Sequence, residues 1–172
     1  MNLIISDHPL VLTEKQEHSF EYIDLTKQNM HNCVGCFGCW TKTIGKCVIR
    51  DDAVKIYPLI AKSERVLYVS KLAYGGYDLP MKTLLERSIP IQQAFIRLHE
   101  GETHHVQRAV VAKDATIIAY GDISKREASI FQKLVARNAK NMSFKNYKVL
   151  FVPEEKVNDI VSKEVEQWKK YG

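Results

Sequence analysis

The chain has 172 residues, 45% of them apolar, with a net charge of +5, which suits one domain with a core of ordinary size. No apolar run approaches the roughly 18 residues of a membrane span. The basic residues are interleaved with Glu and Asp, and no Lys/Arg stripe carries aromatics, which argues against a nucleic-acid surface. The opening MNLIISDHPL lacks the basic region and cleavage site of a secretory leader, so a cytoplasmic location is expected.

In chain order, LIIS (3–6) predicts a short buried strand and SFEYIDL (19–25) a second. Only about a dozen residues separate them, the minimum for a parallel crossover, so the first helix is expected to be reduced or absent. Residues 51–62 predict a helix capped by Asp51 or Asp52, with Val54, Tyr57 and Ile60 on one face and a kink or break at Pro58. RVLYVSKL (65–72) is a continuous apolar run of the kind buried on both faces of a sheet. The turn-rich AYGGYD leads into a helix over 79–89, with Asp78 as cap and Pro80 in the first turn.

QQAFIRLH is expected to continue that helix after Pro90, and GETHHVQRA to be a polar excursion in which His104 and His105 are solvated. ATIIAYGD (115–122) predicts a fourth strand. The following helix opens on a capping box from Ser124 to Glu127 and carries an Ala128, Phe131, Leu134, Val135 stripe. YKVLFV (147–152) predicts a fifth strand. A last helix over 154–171 buries Val157, Ile160, Val161, Val165 and Trp168, with Gly172 at the C-cap position.

Strands alternating with helices specify a parallel sheet covered on both faces. For five strands the expected α/β arrangement is the doubly wound flavodoxin-like order 2-1-3-4-5, as a single domain over 1–172. Ligands bind such sheets beyond the carboxyl ends of the strands where the winding reverses, which selects the loops at 6–10, 70–78 and 120–124.

All four cysteines, Cys33, Cys36, Cys39 and Cys47, lie in one stretch with the spacing C-x2-C-x2-C-x7-C. Three thiolates at that pitch can wrap one corner of a 4Fe-4S cubane and the fourth can close it. Zinc fits less well, because the Cys pairs of a ribbon stand a dozen or more residues apart. Phe37, Trp40, Val48 and Ile49 read as packing neighbours, so unmetallated thiols that pack or react are the plainer reading. Glu86 and Arg87 are helix neighbours, and Arg87 is expected to be structural.

The run CVGCFGCWTKTIGKCVIRDD, followed by a strand and AYGGYDLPMKTLLERSIP, resembles the NADPH-dependent FMN reductase-like branch of the flavodoxin superfamily, which includes the iron–sulfur flavoproteins. The resemblance spans about residues 30 to 90. It implies an FMN whose ring lies against the 72–77 loop, with Ser70, Ala73, Tyr74, Gly75, Gly76 and Tyr77 in contact and Tyr120, Gly121 and Asp122 added from the fourth strand. It further implies NAD(P)H or a redox protein as donor, a small electron acceptor, and a homo-oligomer.

The chain departs from that family after the first strand. SDHPLVLTEKQEHSF has no glycine and lacks the Ser- and Gly-rich loop that binds the FMN phosphate. His8, Lys71, His104, His105 or Arg108 is then needed as counter-charge, and Asp7 would repel the phosphate. The alternative is a flavodoxin-like protein that has lost its flavin and acts as a thiol-bearing or interaction module.

Overall fold

The computed structural model describes residues 1–12 and 20–170. Five strands, β1 (Asn2–Ser6), β2 (Glu21–Asp24), β3 (Arg65–Ala73), β7 (Lys113–Tyr120) and β8 (Phe144–Val152), form the main sheet in the order β2-β1-β3-β7-β8. Every one of these pairings is parallel. This is the doubly wound order read from the sequence, with the reversal between β1 and β3. The short β4 (Gly76–Tyr77) folds back antiparallel on the end of β3.

β3 is buried along most of its length because helices cover both faces of the sheet. On one face α2 (Ala53–Lys62), α3 (Leu79–Arg87) and α4 (Lys125–Asn141) pack Ile56, Ile60, Met81, Leu84, Phe131 and Val135 against Leu3, Ile5, Val66 and Ile117. On the other, α5 (Val157–Lys170) packs Val157, Val161 and Val165 against Ile4, Leu67, Val69 and Ile118. The capping box of α4 forms as predicted. The expected short first helix and the C-cap role of Gly172 fall on residues outside those described.

Three expectations are corrected. α2 runs unbroken through Pro58, because Ile56, Tyr57, Ile60 and Ala61 are buried on its inner face, and their burial offsets the lost N–H. QQAFIRLH does not extend α3. A 3-10 turn over Ile89–Ile91 ends that helix, and the segment becomes β5 (Gln92–His99). GETHHVQRA is no loop excursion but supplies β6 (Glu102–Gln107), antiparallel to β5. The turn between them, Glu100-Gly101, has φ of +50 and +76 at its two residues, the left-handed pair that matches hairpin twist.

Candidate functional site

The strand ends at the reversal carry an acid, Asp7, where the related family carries its phosphate loop. Asp7 follows β1, and its carboxylate accepts the Ser70 hydroxyl at 2.7 Å and the Lys71 backbone N–H at 3.0 Å. Burial pushes the Asp7 pKa up, and these hydrogen bonds offset that only in part. His8 sits at the same loop with its ring edge on Tyr120 at 5.3 Å and its Nδ1 buried without a partner. Ser70 and Tyr120 are themselves buried, and the Gly121 N–H is donated to the Val152 carbonyl. Of the residues named as counter-charges, His8 and Lys71 lie here, whereas His104, His105 and Arg108 lie around the β5–β6 hairpin.

The bend after β3 is a two-residue turn. Ala73 pairs with Gly76, and the central Tyr74 and Gly75 have φ of +53 and +77. Glycine is required at the second position: a Cβ on Gly75 would meet Ile130 Cγ2 at 2.9 Å. Tyr74 adopts the left-handed region at a cost of about 1 kcal/mol and is 98% exposed. A strained, solvated aromatic contributes nothing to the core.

Beside this bend a cavity of about 700 Å³ opens between α3 and α4. Ala73 to Asp78 form one wall, Leu79, Lys82, Leu85 and Glu86 a second, and Ile130, Leu134 and Asn138 the third. Ala73, Tyr74, Gly75, Gly76 and Tyr77 are therefore brought together, while Ser70, Tyr120, Gly121 and Asp122 are not among its walls. The Tyr77 ring is buried edge-on against Phe131 at 4.8 Å, so Tyr74 is the ring free to stack. The α4 wall was missed in sequence. Ile130, Leu134 and Asn138 recur at every fourth position, but in sequence Leu134 reads as part of the core stripe with Ala128, Phe131 and Val135, which leaves Ile130 and Asn138 out.

The cysteine loop is closed at its neck by Arg87. Nη1 donates to the His31 carbonyl at 2.6 Å and to Asp51 Oδ2 at 2.7 Å, and Nη2 donates to Asp51 Oδ1 at 2.8 Å and to the Ile49 carbonyl at 3.2 Å. The two N–H donors of Asn29 and His31 reach Asp52 and Asp51 from the other strand of the neck. Burial alone would raise the Asp51 pKa, but the Arg87 fork and the His31 N–H outweigh it and hold it at about 2. Arg87 is 1% exposed, and the structural role expected for it is what these bonds describe.

Within the loop, Phe37 takes φ +54 to start the single turn α1 (Gly38–Thr41), which carries Cys39. Gly38 is seated against the Val48 side chain, where a Cβ would stand 2.7 Å from Cγ1. Cys33 and Cys36 are exposed, and Cys39 and Cys47 are half-buried. Burial first, and then the charges of Cys47, Cys33 and Cys36, push the Cys39 thiol up, so all four sulfurs share one electrostatic neighbourhood. Soft thiol donors on one loop suit an iron–sulfur group. Among the described residues no three His, Cys, Asp or Glu stand close enough to hold a single metal ion.

His104 departs from the solvated position expected of it. It is 8% exposed and bridges the Asn141 side chain and Glu102, each at 2.9 Å. His105, facing the other way as adjacent strand residues must, lies on Trp40 at 4.8 Å.

No family model matches the chain. Over 75 residues it is 32% identical to an iron–sulfur flavoprotein of Methanocaldococcus jannaschii, a match that covers 44% of this chain and 38% of that protein. An iron–sulfur flavoprotein of Archaeoglobus fulgidus is 30% identical over 84 residues, 49% of this chain and 37% of the relative. The chain thus spans well under half the length of the curated relatives it matches. Among solved structures, an FMN-dependent NADH-azoreductase of Bacillus anthracis in complex with FMN superposes with a TM-score of 0.60 at 14% identity, over 99% of this chain and 98% of that one. An NAD(P)H:quinone oxidoreductase of Methanothermobacter marburgensis superposes with a TM-score of 0.59 at 10% identity, over 96% and 95%. The chain is a flavodoxin-like α/β protein, and part of it is similar in sequence to iron–sulfur flavoproteins.

Proposed function

We propose that this protein is an FMN-dependent oxidoreductase that takes electrons from NAD(P)H or a redox partner and passes them to a small acceptor. One observation carries the reading: the bend at Ala73–Tyr77, at the sheet's reversal, holds the strained and exposed Tyr74 beside a cavity of about 700 Å³. The similarity to flavoproteins in sequence and in fold supports it. Bound there, FMN would supply two-electron chemistry, by which the hydride of reduced nicotinamide and a proton from solvent together reduce a quinone- or azo-type acceptor.

The residues around the cavity suit the flat end of that cofactor. Tyr74 offers a stacking face, the glycine turn lets backbone approach closely, and Leu79, Leu85, Ile130 and Leu134 exclude water. Lys82 places a positive charge at the rim, 4.0 Å from the Glu86 carboxylate, and would help to hold an anionic group bound there. The described residues after β1 do not suit the phosphate end. Asp7 is an anion precursor there, and it already occupies the Lys71 N–H. That observation favours a second reading, a scaffold that has lost its flavin and works through its thiols. In the first reading, Cys33, Cys36, Cys39 and Cys47 are also the residues we propose to hold an iron–sulfur cluster.

The test is a visible spectrum of protein purified without air, followed by titration with FMN. A bound flavin that Tyr74→Ala weakens by about 3- to 10-fold supports the first reading. A protein that leaves FMN fluorescence unquenched at high concentration overturns it and leaves the second. Gly75 is the poorer probe, because any side chain there strains the turn and strikes Ile130 with or without a ligand.

A further inference from the structure

Two carboxylates meet where β1 ends and β4 begins along β3. β1 pairs with β3 as far as Val69, and β4 takes over at Leu72. Lys71 spans the gap: its N–H donates to Asp7 Oδ1 at 3.0 Å, and its carbonyl accepts the Asp78 N–H at 3.0 Å. Asp78 lines the cavity beside Tyr74, so Asp7 stands one residue of β3 away from the cavity wall. Burial first, and the charge of Asp78 after it, push the Asp7 pKa up, which puts the two acids in one electrostatic neighbourhood. Glu154 is a third acid at this end, 3.9 Å from His8 Nε2.

Among the described residues, the groups at this end that suit a phosphate are already taken. The Ser70 hydroxyl and the Lys71 N–H are donated to Asp7. The α3 N-terminus, whose N–H groups would attract an anion, is capped by the Asp78 carboxylate, which accepts the Leu79 N–H at 2.8 Å. His8 faces Glu154, and the Lys71 side chain is exposed, where solvent screens its charge.

A hydroxyl has the opposite requirement, because it is neutral and donates to a carboxylate. Asp7 accepts from Ser70, Lys71 and Tyr120, and a carboxylate has about four lone-pair sites, so acceptor capacity remains. His8 Nδ1, buried without a partner at the same loop, can pair with a hydroxyl as donor or as acceptor. An acid in place of a cation is also how dinucleotide-binding folds tell a sugar hydroxyl from its phosphate ester.

We propose that this chain takes riboflavin in preference to FMN, a selection that rests on the flavin site proposed above and names its ligand more narrowly. The Tyr74 bend receives the ring, Asp7 receives the terminal hydroxyl of the side chain, and a phosphate in place of that hydroxyl meets Asp7 and Asp78. A phosphate monoester carries a charge of about −1.5 to −2 at neutral pH, and these acids repel it.

Fluorescence titrations of the purified chain with riboflavin and with FMN test the selection. At low salt, riboflavin is expected to bind about 10-fold more tightly than FMN. Added salt is expected to tighten FMN and leave riboflavin unchanged, because screening relieves a repulsion that only the phosphate feels. Asp7→Asn is expected to bring the two affinities within about 3-fold of each other, and Asp78→Asn, which keeps an N-cap for α3, to narrow the gap as well. FMN bound as tightly as riboflavin, an FMN affinity that falls with salt, or a preference that neither variant moves overturns the selection and leaves the flavin site standing. A chain that quenches neither flavin overturns the flavin site and the selection with it.

Discussion

At the scale of single residues, the proposed flavin site turns on two positions, Tyr74 and Asp7. Tyr74 holds a left-handed backbone and makes no contribution to packing, so stability and binding pull apart there. Tyr74→Gly is expected to raise unfolding stability by about 1 kcal/mol in a urea titration while lowering FMN affinity. Asp7→Asn should act the other way on the ligand: it removes a negative charge from the phosphate end, keeps an acceptor for the Lys71 N–H, and is expected to tighten FMN about 10-fold in a fluorescence titration. Arg87 is decisive for the cysteine loop. Arg87→Met leaves the Asp51 carboxylate with the His31 and Ala53 N–H groups but without its guanidinium, so a loss of about 3 kcal/mol is expected by chemical denaturation. Arg87 was legible as structural from its place inside a helix, but its partners, Asp51 and the His31 and Ile49 carbonyls, are 36 to 56 residues away and no local pattern names them.

Among the elements, α2 and the β5–β6 hairpin show where local rules yield to tertiary context. Pro58 sits inside α2 without breaking it, so the helix lacks one N–H donor and relies on the burial of Ile56, Tyr57 and Ile60. Pro58→Ala restores the donor and is expected to raise the thermal unfolding midpoint, by about 1–2 kcal/mol in free energy. QQAFIRLH reads as helix because Gln, Ala, Arg and Leu are good helix formers and no period-2 alternation offsets them. Its strand state is imposed by β6 and by the Glu100-Gly101 turn, and that X-Gly pair was the available signal. The same turn type recurs at Tyr74-Gly75, where Gly75 was legible as a site of close backbone approach although the wall it approaches, Ile130, was not.

For the molecule as a whole, one buried group makes stability depend on alkaline pH. Lys113 begins β7, is 1% exposed, and donates to the Val111 and Met142 carbonyls, and among the described residues no carboxylate pairs with it. Burial pushes its pKa down to about 8 from the ordinary 10.5. Below pH 8 both folded and unfolded chains carry the proton, and the native state bears the cost of the buried charge. Between about 8 and 10.5 the native state sheds a proton that the unfolded chain retains, so this group's contribution to stability rises with pH. The stability gap between Lys113→Met and wild type should therefore shift in favour of wild type from pH 7 to pH 10, measured by urea midpoints.

The sequence by itself determined the layered architecture. Strand runs such as RVLYVSKL are apolar on both faces, caps such as Ser124–Glu127 are local, and right-handed crossovers between parallel strands leave few orders, of which 2-1-3-4-5 is the one found. Only the tertiary structure decided how that end of the sheet is furnished. It split the expected flavin contacts between an open bend at Ala73–Tyr77 and a closed group around Asp7, Ser70 and Tyr120. It also turned a helix-forming segment into an exposed strand. The reason is physical: periodicity and capping act over a few residues, whereas a cavity wall, an ion pair at the neck of a loop and an uncovered edge each depend on groups brought together from distant parts of the chain.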